Sequence, residues 1–126
     1  GTKVVFAPSN ADVVGVYDVA TGTFDASVST GTLTMDYKFI GAVAVGTKVV
    51  FAPYFADVVG VYDVATSTFD ASVSTGAVTM DYKLWGAAAV DTKVVFAPHR
   101  TNVVGVYDVA TGTFDASVST GTLTMD

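Results

Sequence analysis

His99 and Arg100 are the side chains best equipped for chemistry in this chain: the only imidazole and the only guanidinium in 126 residues, placed side by side. Together they could clamp an anion or a carboxylate. The reading favoured here instead pairs Arg100 with an acid across a boundary between structural units, such as Asp12 or Asp36. A hydrolytic site needs a base, a nucleophile and a third group that orients the base. Neither Cys nor Glu is present to supply those roles, and the many Ser and Thr fall at turn and strand positions that β-structure already favours. The expectation is a protein that is not an enzyme, with no catalytic residue and no cofactor.

The remaining chemistry lies in twelve Asp. Asp18, Asp63 and Asp108 each follow a tyrosine at the end of an apolar run, where a carboxylate accepts hydrogen bonds from the amides of the next turn. A calcium ring is the sharper alternative, but no D-x-D-x-D-G loop occurs and no metal site is expected. Asp25, Asp70 and Asp115 alternate with apolar residues and read as solvated strand faces. The net charge of -6 should repel nucleic acid phosphates. Absence of Cys excludes disulfides and thiolate metal sites. Lys, Asp and Thr interrupt every apolar run before it reaches the length of a membrane helix, so no membrane partner is expected. No basic leader precedes an apolar stretch, and the compartment is left open.

These residues sit in a repeat. TKVVFAP begins at Thr2, Thr47 and Thr92, a period of 45 residues; residues 1–45 and 46–90 share 37 identities, and 1–36 and 91–126 share 31. Val and Thr supply 25 and 18 residues, a composition that fits pleated sheet and disfavours helix. Residues 37–81 hold four apolar segments bounded by turn signals, beginning at Phe39, Lys48, Val58 and Phe69. The first is built of Gly, Ala and Val, the middle two are nearly continuous apolar runs, and the fourth alternates with Asp and Ser. A wedge that is narrow inside and half-wet outside has this gradient. The predicted fold is all-β, a β-propeller of four-stranded antiparallel blades of about 45 residues, with a partial blade at 1–36 and complete blades at 37–81 and 82–126.

The stretch GAVAVGTKVVFAP followed by VVGVYDVATGTF resembles the kelch blade, with small residues on the inner strand, a tight turn and a YD-x-x-T-x-T-aromatic hairpin. Near-identical blades with a few differences resemble, over the whole chain, the engineered symmetric propellers of the Cake and Scone type. That resemblance implies a computationally designed scaffold, self-associating or in tandem, with copies of itself or further blades of the same polypeptide as partners. The alternative is a natural repeat propeller that binds a glycan or a protein through its variable rim.

Differences between units cluster at Ser9-Asn10, Tyr54-Phe55 and His99-Arg100 after the proline, and at Phe39-Ile40 and Leu84-Trp85 at the head of the innermost strand. In an antiparallel blade these two places share one rim. Tyr54, Phe55, Phe39, Ile40, Leu84, Trp85, His99 and Arg100 are therefore the candidate site: bulky pairs set opposite smaller ones to fix the order of blades.

Overall fold

The structure is a computed structural model that describes residues 1–121 and Leu123. Among the described residues eleven strands form three separate antiparallel sheets. Sheet 1 orders β1 (Lys3–Phe6), β2 (Val13–Asp18) and β3 (Thr23–Ser29). Sheet 2 orders β4 (Phe39–Val45), β5 (Lys48–Pro53), β6 (Val58–Asp63) and β7 (Thr68–Ser74). Sheet 3 repeats sheet 2 with β8 (Leu84–Val90), β9 (Lys93–Pro98), β10 (Val103–Asp108) and β11 (Thr113–Ser119). The fold is all-β and propeller-like. A four-stranded blade is realised in two of the three sheets; sheet 1 has three strands.

Local chemistry explains the strand ends. Pro53 closes β5, paired with Phe39, a terminal position that tolerates the missing N–H. Asp18, Asp63 and Asp108 accept the amides of Ala20, Ala65 and Ala110 at 2.9 Å, holding the hairpin turns. The outer acids do more than face solvent. Pairing shifts by one residue on β3 between Val28 and Asp25, and Asp25 Oδ1 accepts the Ser27 amide at 2.8 Å across that bulge; Asp70 and Asp115 repeat the contact. The Ser27 hydroxyl and amide hold the Asp25 carboxyl below its ordinary value.

The sheets pack face to face through two cores of one design. Val14 and Val16 of sheet 1 meet Phe39, Phe51 and Tyr62 of sheet 2; Val50, Val59 and Val61 of sheet 2 meet Leu84, Phe96 and Tyr107 of sheet 3. Each sheet thus has a forward face of valines and a backward face of larger rings. The inner strand β8 packs on both β4 and β5, while the outer strands β3, β7 and β11 meet only sparsely, so the sheets converge at one edge. There Gly41 and Gly86 interrupt the ladder with φ of 72°, and a Cβ on Gly41 would lie 3.6 Å from the Gly86 backbone. Glycine permits both the left-handed bulge and the close approach.

Identical residues meet different neighbours in the three sheets, which yields a paired test. A methyl group on Gly60 would lie 2.7 Å from Cζ of the buried Phe39 ring, whereas on Gly15 it would lie 3.0 Å from the exposed Phe24 ring. Gly60→Ala should cost about 1–3 kcal/mol by overpacking, while Gly15→Ala should cost less because Phe24 can swing into solvent. Chemical denaturation of the two variants measures the difference.

Candidate functional site

The loop after β5 connects three sheets at one rim. Running along the backbone, the Lys38 amide donates to Ser9 O at 3.1 Å, the Tyr54 amide to Lys38 O at 3.0 Å, the Lys83 amide to Tyr54 O at 3.2 Å, and the His99 amide to Lys83 O at 3.1 Å. Ser9 O and Tyr54 O pass the chain of hydrogen bonds from one unit to the next, and Lys38 O and Lys83 O carry it across their own unit. It supplies partners to loop groups that no strand ladder satisfies.

Two lysines lock the relay. Lys38 and Lys83 are fully buried, the only two buried charged side chains among the described residues. The Lys38 ammonium donates to Ser9 O, Asp12 Oδ1 and Met35 O at 3.1, 3.0 and 2.9 Å. Lys83 donates to Tyr54 O at 3.1 Å and Ala56 O at 2.7 Å and pairs with Asp57 Oδ1 at 3.1 Å. Three N–H donors find three acceptors in each case, the condition under which an ammonium tolerates burial. The acids are half-exposed, so most of the desolvated contact is to carbonyls. Burial lowers the Lys83 pKa from its ordinary 10.5, opposed by the hydrogen bond and charge of Asp57.

Aromatic side chains cover the relay. Tyr54 packs edge-on to Trp85 and Tyr82, with ring centres at 5.5 and 5.1 Å. Phe55 meets Tyr82 at 4.8 Å and Tyr37 at 5.5 Å, and His99 lies 5.0 Å from Trp85. Tyr37 and Tyr82 adopt left-handed φ of 54° and 56°, a conformation that costs a bulky residue about 1–2 kcal/mol. The relay and its neighbours hold them there: the Phe55 amide donates to Tyr37 O and the Arg100 amide to Tyr82 O, each at 3.0 Å. Burial pushes the Tyr54 hydroxyl above its ordinary pKa, with Tyr82 adding to the shift and Arg100 opposing it.

The sequence-predicted residues divide into two groups. Tyr54, Phe55, Trp85, His99 and Arg100 come together at this rim. Phe39 and Leu84 turn into the backward faces of their sheets and Ile40 into the core between sheets 2 and 3. Two expectations need correction. Arg100 has no carboxylate partner among the described residues; its guanidinium lies 5.0 Å over the Tyr82 ring, while the Asp12-type acids are engaged by the buried lysines. The bulky residues also face one another rather than smaller ones, and Trp85 is 49% exposed. Sequence reading passed over Lys38, Lys83, Tyr37 and Tyr82. The available signal was a Tyr-Lys pair at 37–38 and 82–83, its lysine falling 26 residues after Asp12 or Asp57.

Chemically, the rim is a packed aromatic surface with one imidazole and one guanidinium on its edge. His99 Nδ1 is already 3.1 Å from Tyr82 O, and no group of three acidic or imidazole side chains able to hold a metal ion occurs among the described residues.

Lys83→Met should destabilise the fold by about 2–4 kcal/mol, because it strips donors from buried carbonyls. Asp57→Asn should cost under about 1 kcal/mol, since the acid is half-exposed. Urea melts of both variants test that order. In an NMR titration Lys83 should lose its proton below 10.5. Between that lowered value and 10.5 the native state binds fewer protons than the unfolded chain, so this residue makes stability rise with pH across the window.

No protein-family profile matches the chain, and no curated protein matches it. Solved structures do. The computationally designed Ika8 protein superposes with a TM-score of 0.63 at 16% identity, covering 94% of this chain and 35% of its own. Kuenenia stuttgartiensis hydrazine synthase gives 0.72 at 14% identity, covering 96% and 33%. The computationally designed Ika4 protein gives 0.59 at 16% identity, covering 86% and 61%. The chain spans about a third of the length of the Ika8 and hydrazine synthase chains it matches. At these identities the likeness is one of fold, and that fold is propeller-like.

Proposed function

We propose that this chain is a structural scaffold, a segment of an engineered, self-associating or tandem-repeat β-propeller of the Cake and Scone kind with kelch-like blades, and that it has no catalytic activity. One observation carries the reading. The forward and backward faces that build both internal cores are also the two faces left open at the ends: Phe6 on the backward face of sheet 1 is 51% exposed while its counterparts Phe51 and Phe96 are fully buried, and Val118 on the forward face of sheet 3 is 61% exposed. Two different, mutually complementary open faces favour head-to-tail association, by copies or by further blades. The near-identity of the units and the likeness to two designed proteins support the engineered origin. The hydrogen-bonded hairpin aspartates support the kelch-like comparison.

A second reading, a natural propeller that binds a glycan or a protein at its rim, is favoured by the partly exposed Tyr37, Tyr82 and Trp85, with Arg100 over the Tyr82 ring. Aromatic faces beside a planar cation are common anchors for ligands.

Native mass measurement separates the readings. The scaffold should run as multiples of 12.9 kDa. Phe6→Asp and Val118→Asp, on opposite open faces, should each abolish assembly alone yet form a capped pair when mixed. A wild-type monomer overturns self-association. On a glycan array the scaffold should be blank; saturable binding lost in Trp85→Ala would establish the second reading.

A further inference from the structure

The inner edge of sheet 1 differs from those of its sisters. β5 pairs with β4 on one side and β6 on the other, and β9 likewise with β8 and β10, but among the described residues β1 pairs only with β2. One row of β1 amides and carbonyls is therefore free to template another strand. Clefts flank that edge on both faces. One of about 550 Å³ runs between sheets 1 and 2, lined by Lys3 and Val5 on one wall and Ala42, Val43 and Ala44 on the other. The second, of about 560 Å³, lies on the backward face over Gly15, between Phe6 and Phe24.

Sheets 2 and 3 show what fits such an edge. Phe39 covers Gly60 against the Phe51 ring, and Leu84 covers Gly105; both are buried. Ile40, Val43 and Val45 point the other way and pack into the core between sheets 2 and 3. The clefts on either side of β1 correspond to these two sets of positions. A glycine at the third position supplies the left-handed bulge that sends the bulky first residue and the later valines to opposite faces.

We propose that the free edge of β1 is an acceptor for an extended strand of the pattern Phe/Leu-x-Gly-Ala-x-Ala-Val, added antiparallel with its bulky first residue over Gly15 and its later apolar residues against Ala42 and Ala44. The partner chemistry is set by shape: alanines where the inner strands converge, a ring or leucine in the backward cleft, and main-chain hydrogen bonds along β1. In the register of the sister sheets, the fifth residue of the incoming strand lies opposite Val5, as Val43 lies opposite Val50. The proposal rests on the propeller-like reading above.

The test uses the 126-residue chain and a synthetic peptide with the sequence of residues 36–46, followed by calorimetry and by amide hydrogen exchange. The peptide should bind saturably and slow exchange along Lys3–Phe6. Peptides carrying Phe39→Asp or Gly41→Val should bind about tenfold or more weakly, from the lost apolar burial and the disallowed bulge. Unchanged exchange at β1, or equal binding of the Phe39→Asp peptide, overturns the proposal. A monomeric chain that captures the peptide overturns self-association and leaves the strand acceptor standing; an assembled chain whose β1 amides exchange freely with peptide present does the reverse.

Discussion

A buried ammonium surrounded by carbonyls is the interaction on which the arrangement of sheets depends. Valine and phenylalanine faces make the sheets adhere, but apolar contact is non-directional and tolerates sliding. Lys38 and Lys83 remove that freedom. Each must place three donors on three acceptors that all belong to the preceding unit, and an unsatisfied buried charge would cost far more than a displaced valine. The backbone relay through Ser9, Lys38, Tyr54, Lys83 and His99 continues the same constraint in neutral form. Register between sheets is set by polar groups, and cohesion by apolar ones.

The near-identical repeats also show that burial is a property of neighbours rather than of sequence. Phe6, Phe51 and Phe96 share the same flanking residues, yet the first is exposed and the others are sealed. Tyr17 is exposed where Tyr62 and Tyr107 are covered. No local rule distinguishes these positions; the covering sheet does. Left-handed turns follow a similar logic. Ser67 stands at φ 55° where Gly22 and Gly112 stand at 68° and 66°, and Asp91 at 55° where Gly46 stands at 61°. The backbone path is imposed by the hairpins on either side, and the residue accommodates it.

Strand positions were legible because β-branched runs bounded by Gly, Pro and Asp leave little choice of element. β4 and β8 were readable from small residues, since only Gly and Ala let backbones converge as Gly41 and Gly86 do. The rim was partly readable: variation at 54–55, 84–85 and 99–100 marked the place. What variation could not reveal was its invariant foundation. Lys38 and Lys83 do not vary and lie in the approach to an apolar strand, where a lysine reads as solvated. Their role depends on an acid 26 residues earlier and on carbonyls that carry no side-chain signature. Arg100 was misread for the complementary reason. A lone cation suggests an acid, but Asp12 and Asp57 are held by the buried lysines, and Arg100 lies over the Tyr82 ring.

Because the ammonium of Lys83 grips main-chain oxygens of residues 54 and 56, the joint is indifferent to which side chains those residues carry. Ser9 serves the same purpose for Lys38 with a hydroxymethyl group where Tyr54 has a phenol. Coupling and display are thus carried by separate atoms of one loop. Such a loop can be rewritten unit by unit, its outward chemistry diversified like the face of a tile, while the grout between tiles stays the same.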